Sequence, residues 1–313
     1  MKTSYSIVYM GTPDFAVPAL MTLAQSRHTV ALVVTQPDRP KGRGCKVCCT
    51  QVKEAAQLHG LPVAQPLSVK DPEFLDQVRA LSPDLFVVAA FGQILPPELL
   101  DIPRWGAINI HASLLPKYRG AAPIHHAILN GDPVTGVTIM QMDRGMDTGD
   151  ILISREIPIA PADTAGSLHD RLSILGADLL VETLDALSDG TLHPVPQDHT
   201  RATYAPMLKK QDGKIDWQRP AHELEAFIRG MSPWPGAFTL FGDKRLLIYQ
   251  GRAIVGTYQA PPGTVVQGFD DELRVATGQG ALAIEELQPA SGRRMCIADY
   301  LRGCCIAPGT IFS

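Results

Sequence analysis

The sequence is poor in charge: 19% of its 313 residues are Asp, Glu, Lys or Arg, and 28 basic against 32 acidic residues leave a net of −4. So balanced a chain has no global field for a polyanion. Any contact with nucleic acid must come from local clusters of Lys and Arg, since phosphate binding scales with the cations in contact. No run of about 18 apolar residues is present, so no helix is expected to cross a membrane. The opening stretch MKTSYSIVYMG lacks the apolar core and cleavage site of a secretory signal. These absences predict a cytoplasmic protein that makes no use of a membrane. Cysteines number only six: Cys45, Cys48, Cys49, Cys296, Cys304 and Cys305. Outside a secretory context they make no disulfide framework. Cys45, Cys48 and Cys49 lack the second Cys-x-x-Cys or His pair that structural zinc needs, so free thiols are expected. Asp143, Asp147 and Asp150 match no calcium loop, and no metal is expected. Nor does Gly-x-Gly-x-x-Gly follow the first strand signal, which argues against a nicotinamide cofactor.

What is present is an alternation of strand and helix signals. Residues 6–10 read as a first parallel strand, Gly11, Thr12 and Pro13 as a tight turn, and residues 14–26 as a helix with Pro18 near its first turn. Residues 29–35 and 85–90 are nearly all apolar, as strands buried on both faces are. Leu168, Leu172, Leu175 and Leu179 recur at helical spacing within a long helix to about residue 187. This grammar predicts an α/β domain over residues 1–190. Residues 191–206, with Pro194 and Pro196, read as a linker. Residues 36–50 read as a flexible basic loop rich in Pro and Gly. From 207 to 313, brief β-like runs parted by Gly, Asp and Pro predict a small β-barrel.

The chain is organised around residues 107–132, AINIHASLLPKYRGAAPIHHAILNGD, followed by MDRGMDTGD at 142–150. Ile108 and Ile110 would face one side of a strand, and Asn109 and His111 the other. Pro116 cannot continue a regular ladder, which puts the polar pair near a strand's carboxyl end, where open α/β sheets hold ligands. Pro123 suits the first turn of a short helix and Gly131 its left-handed stop. A further strand over 134–142 leads to a loop with Asp147. An Asn amide and an imidazolium can both donate to an oxyanion, while a carboxylate fixes the imidazole's charge and tautomer, so the three suit acyl transfer. Taken alone, an Asn-x-His pair is more often a loop cap or a satisfied histidine. His125, His126 and His169 lie on helices with no partner assignable from sequence.

Longer motifs narrow this. SLLPKYRGAAP, with Asn109 and His111 before it and Asp147 after it, resembles the catalytic core of the 10-formyltetrahydrofolate-dependent formyltransferases. GTPDFAVPAL (11–20), TQPDRPKGRG (35–44), GVTIMQMDRGMDTGD (136–150), YAPMLKKQDGKIDW (204–217) and PWPGAF (233–238) are similar to the branch of that family acting on methionyl-tRNA. The resemblance implies a Rossmann-like, mostly parallel open sheet (the formyltransferase fold) followed by a small OB-like β-barrel that binds tRNA. It implies transfer of formyl from the cosubstrate 10-formyltetrahydrofolate to initiator methionyl-tRNA for translation initiation, without a metal. Asn109, His111 and Asp147 would be catalytic. Phe91, Gly92, Gln93, Ile94, Leu95, Ser113, Leu114, Leu115, Pro116, Asp143 and Gly145 would line the folate site, though packing alone accounts equally well for residues 91–95. Arg39, Lys41, Arg43 and Lys46 in the basic loop, with Lys209, Lys210, Arg293 and Arg294 further on, would contact tRNA; for each taken singly, ordinary solvation is an equal account. Cys45, Cys48, Cys49 and Gln51 depart from the more basic pattern of that loop. The chain is expected to act as a monomer. A formyltransferase for a small amine, or an RNA-binding scaffold with a silent core, are the competing readings.

Overall fold

A computed structural model describes residues 4–41, 46–266 and 271–313. The chain divides into two compact units. The first comprises Met1–Pro123, Thr135–Ile157 and His169–Ala205, and the second Ile124–Val134, Pro158–Leu168 and Pro206–Ser313.

In chain order the elements up to residue 189 are β1 (Ser6–Gly11), α1 (Val17–Ala24), β2 (Thr29–Val34), β3 (Arg39–Lys41), β4 (Lys46–Cys48), α2 (Gln51–Leu58), β5 (Val63–Ala64), α3 (Pro72–Leu81), β6 (Leu85–Ala89), α4 (Pro97–Leu100), β7 (Ala107–His111), α5 (Pro123–Leu129), β8 (Val134–Gln141), β9 (Ile151–Pro158) and α6 (Ala165–Asp189). Seven strands form one sheet in the order β5-β2-β1-β6-β7-β8-β9. The pairs from β5 to β7 are parallel, as their apolar runs predict, and β8 joins β7 antiparallel, so the sheet is mixed. Its order turns back at β1, whose neighbours are β2 and β6. Ligands of open α/β sheets bind outside the strands' carboxyl ends at such a point. Strand β6 is buried throughout, and Phe86 and Val88 share a core cluster with Met10, Val34, Phe74, Phe91, Leu95 and Leu99. Each fully buried Val, Leu or Phe side chain contributes roughly 1.5–3 kcal/mol.

Side-chain caps start α2, α3 and α6. The Thr50 hydroxyl accepts from Lys53 N before α2, and Asp71 accepts from Glu73 N before α3. Thr164 and Ser167 exchange hydrogen bonds at the start of α6. Each such cap is worth about 1 kcal/mol. The expected first helix is shorter than its pattern: a 3-10 turn, Asp14–Ala16, precedes α1, which carries Pro18 in its first turn. The expected basic loop contains a hairpin instead, with Arg39 opposite Cys48 and Pro40 opposite Val47. A proline without an N–H is tolerated there because, among the described residues, β3 has no neighbour besides β4.

The second unit holds α7 (Ala221–Gly230), β10 (Ala237–Phe241), β11 (Lys244–Ile254), β12 (Val265–Val266), β13 (Leu273–Ala276), β14 (Ala281–Pro289), β15 (Met295–Cys296) and α8 (Ile297–Gly303). Its antiparallel sheet runs β10-β11-β14-β13-β12, with β15 on β14. Residues 310–313 join the two ends of that order. Leu240 N donates to Ser313 O at 2.8 Å, and Val265 N donates to Thr310 O at 2.7 Å. The sheet is thereby closed into a barrel, which pairs the edges of β10 and β12. Phe312 seals the join, its ring 5.7 Å from that of Phe241 and 6.3 Å from that of Trp217. The brief β-like runs expected here are strands, while β15 and α8 are too short for a periodic signal.

Candidate active site

The site grows from the end of β7. Val88 of β6 is level with Asn109, and β6 ends one residue later, so His111 extends past its neighbour at the carboxyl edge. Asn109 lies on the same face, two residues back. The His111 ring is 5% exposed. Its Nε2 lies 2.9 Å from the main-chain oxygen of Tyr118. A carbonyl only accepts, so Nε2 carries the proton. Nδ1 is then the variable nitrogen, and it lies 3.6 Å from Asp147 Oδ2. That is ion-pair distance for a protonated ring but too long for a hydrogen bond.

Asp147 reaches His111 from the loop between β8 and β9. Gly120 N donates to its Oδ2 at 2.8 Å. Asp147 itself has φ +52 and Tyr118 φ +60, in the left-handed region that costs a non-glycine residue roughly 1–3 kcal/mol. Ala90, at the end of β6, has φ +45. Of the four described non-glycine residues with positive φ, only Ser82, the C-cap of α3, lies away from this edge. Gly120, at φ +110, is required twice over: a Cβ there would meet Ala205 O at 2.9 Å.

A segment expected as a linker completes the site. Arg119 N donates to Thr203 O and Ala205 N donates to Arg119 O, both at 2.8 Å, while Thr203 Oγ1 accepts from Tyr118 N at 2.9 Å. Val195 pairs with Ile151 through two 2.8 Å backbone bonds. Residues 195–205 are therefore a strap across the loop after β7 and the loop between β8 and β9. Gln197 and Thr203 gave no signal in sequence, because most of these bonds are made by the backbone, and Arg119 stood only as one residue of the SLLPKYRGAAP run.

The residues expected at a folate site are arranged in two faces. Phe91 and Leu95 point into the core, whereas Gly92 is exposed and Ile94 is 85% exposed. The Phe91 carbonyl accepts from Thr12 Oγ1 at 2.8 Å, and Gln93 Oε1 accepts from Val69 N at 3.0 Å. Ser113 is fully buried and its hydroxyl donates to Lys117 O. Leu115 is buried, while Leu114 and Pro116 are half-buried. Asp143 Oδ1 accepts from Gly145 N and Thr148 Oγ1, so this carboxylate shapes its own loop.

Among the residues expected to meet tRNA, Arg39 is exposed on β3; the side chains of Lys41 and Lys46, and all of Arg43, lie outside the described residues. The root of that hairpin is fixed. Asp38 accepts from Lys53 Nζ at 2.6 Å and from Gln65 Nε2 at 2.7 Å. These bonds, Lys53 first and then Gln65, hold the Asp38 carboxyl below the usual range, and Asp38 in turn raises Lys53. In the barrel unit Lys209, Lys210 and Arg293 are exposed, whereas Arg294 pairs with Glu286 and stacks 4.5 Å over Tyr249. His125 Nε2 lies 3.2 Å from Trp234 O, and His169 lies between Asp14 and Asp170. The described residues hold no metal-binding group of His, Cys, Asp and Glu. No described helix is long and apolar enough to cross a membrane.

Comparison with known proteins defines the class first. The formyl transferase family profile matches residues 5–184, and that of the formyl transferase C-terminal domain matches residues 207–304. At the level of fold, an N-formyltransferase from Helicobacter canadensis, solved with folinic acid and dTDP-3-aminofucose, superposes with a TM-score of 0.64 at 18% identity, over 93% of this chain and 99% of its own. HypX from Aquifex aeolicus with tetrahydrofolic acid gives 0.60 at 17% identity, over 95% of this chain, which spans only 47% of that longer protein. Two curated relatives are far nearer in sequence. A methionyl-tRNA formyltransferase of Geobacter metallireducens is 52% identical over 97% of both chains. One of Acetivibrio thermocellus is 49% identical over 97% of this chain and 98% of its own. The chain belongs to the methionyl-tRNA formyltransferase family.

Proposed function

We propose that the chain transfers the formyl group of 10-formyltetrahydrofolate to the α-amino group of the methionine on initiator methionyl-tRNA, giving formylmethionyl-tRNA and tetrahydrofolate. The observation that carries this reading is the commitment of His111 Nε2 to the Tyr118 carbonyl, which leaves Nδ1, beside Asp147, for chemistry. The amine attacks the formyl carbon, and as the new C–N bond forms the carbonyl electron pair moves onto oxygen. The Asn109 amide and the Nδ1–H of the protonated His111 ring donate to that oxyanion. Asp147, held by Gly120 N, balances the imidazolium charge without drawing Nδ1–H into a hydrogen bond of its own. The attacking nitrogen sheds a proton, N10 of the folate takes one by way of Asp147 and a neighbouring water, and the C–N10 bond breaks.

The pterin lies against Ile94, Gly92 and the Ser113 to Pro116 turn, with the Asp143 and Gly145 loop over it. Burial of Phe91 and Leu95 makes them the support of that slot. Residues 1–190 carry the chemistry, and the barrel with Lys209, Lys210 and Arg293 holds the tRNA body; Arg294 contributes less because Glu286 already neutralises it. Arg39 and its neighbours Lys41, Arg43 and Lys46 meet the acceptor end. The protein works as a monomer in the cytoplasm. The test is single-turnover transfer of labelled formyl to methionylated initiator tRNA, with methionylated elongator tRNA and free amino sugars as competitors. Rapid transfer to initiator tRNA alone is expected; transfer only to a small amine, or to nothing, overturns the assignment.

A further inference from the structure

The strap over residues 195–205 has one side chain at its centre. Gln197 is 6% exposed, and its amide meets both catalytic loops. Its Oε1 accepts from Arg119 Nη2 at 2.6 Å and Nε at 3.3 Å. Its Nε2 donates to the main-chain oxygens of Asp147 at 2.9 Å and Gly149 at 2.7 Å. Arg119 is 2% exposed, and its Nη2 also lies 2.9 Å from His199 Nδ1. A guanidinium only donates, so His199 is neutral at Nδ1 and keeps its proton on Nε2.

These contacts bear on the reacting groups. Tyr118 O holds His111 Nε2, and Gly120 N holds Asp147 Oδ2, so the residues either side of Arg119 grip the two members of the ion pair. Asp147 keeps a left-handed backbone, and such a conformation persists only where its surroundings over-determine it. The Gln197 amide supplies that constraint, pinning the carbonyls of Asp147 and Gly149 to Arg119. Only a side chain with an acceptor and a donor on one planar group can do this. A carboxylate would keep the Arg119 bonds and set an oxygen against two carbonyl oxygens; a shorter amide would not span the gap.

We propose that Gln197 is a positioning residue for formyl transfer: by cross-linking the loop after β7 to the loop after β8, it sets the separation of Asp147 from His111. This rests on the catalytic reading of His111 and Asp147 given above. The test is a double-mutant cycle on the full-length protein with methionylated initiator tRNA and 10-formyltetrahydrofolate. Gln197→Glu is expected to lower kcat by about 10²-fold, the effect of roughly 1 Å of misplacement, with both KM values within about threefold of native. In the Asp147→Asn background the same change is expected to cost less than about threefold, because the residue it positions no longer acts. Gln197→Met, of similar length and uncharged, is the second variant and should behave alike; thermal unfolding accompanies each, so that a fold defect in the Glu variant leaves the Met variant to decide. Native kcat in both Gln197 variants overturns the proposal. So does full additivity with Asp147→Asn, or a loss expressed in KM alone. Native turnover in Asp147→Asn by itself would instead bring down the catalytic reading, and the proposal with it.

Discussion

The loop that follows β7 and the hairpin of β3 and β4 both leave carboxyl ends of the same sheet, and they are anchored in different ways. The loop is tied at Tyr118 and Arg119 by backbone and side-chain bonds to residues 197–205, and at Gly120 to Asp147, which Gln197 binds into the same network. The hairpin is fixed by side chains at its root, where Asp38 meets Lys53 and Gln65. Groups that stabilise a transition state must stand within about half an ångström of their positions, so bracing from several sides is needed. Phosphate recognition relies on point charges and tolerates adjustment. On the proposed function the loop serves chemistry and the hairpin polymer binding, and their anchoring follows the precision each demands.

Four experiments break or sharpen that comparison. His111→Ala should lower single-turnover transfer by roughly 10²–10³, the cost of a lost oxyanion donor, with tRNA affinity measured by filter binding close to native. Gly120→Ala forces a Cβ to 2.9 Å from Ala205 O at φ +110. Its kcat should fall by about 10–10², and thermal unfolding should show a loss of roughly 1–3 kcal/mol. On the hairpin, Arg39→Ala should raise KM for tRNA a few-fold and flatten the salt dependence of log KM by about one unit of slope, chiefly sparing kcat. The smallest effect belongs to pH at the hairpin root. Lys53 and Gln65 depress the folded Asp38 carboxyl, so its contribution is present above the unfolded value near about 3.9 and is lost as pH falls through the folded value. Carboxyl NMR should show Asp38 titrating below the ordinary range, with Lys53→Met moving it upward; an unmoved midpoint would sink the assignment of Lys53 as its main partner.

Much of the architecture was legible. Apolar runs marked β1, β2 and β6, leucine spacing marked α6, and alternation put Asn109 and His111 on one face of β7. The strap was not legible, because Val195, Thr203 and Ala205 act through backbone atoms and Gln197 is one amide among many. The hairpin was hidden by Pro40 and its charges, which read as loop. The use of Asp143 Oδ1 by Gly145 and Thr148 was not legible either, because residue type alone does not show which carboxylates shape their own turn.

The closure of the barrel by residues 310–313 has a consequence for biosynthesis. The strands it joins, β10 and β12, emerge from the ribosome well before the segment that bonds to both. Until that segment arrives their backbone edges stay unpaired, and an unpaired edge is a template for association with another nascent chain. Vectorial synthesis therefore leaves this ring open until residues 310–313 are made, and its edges need protection while they wait.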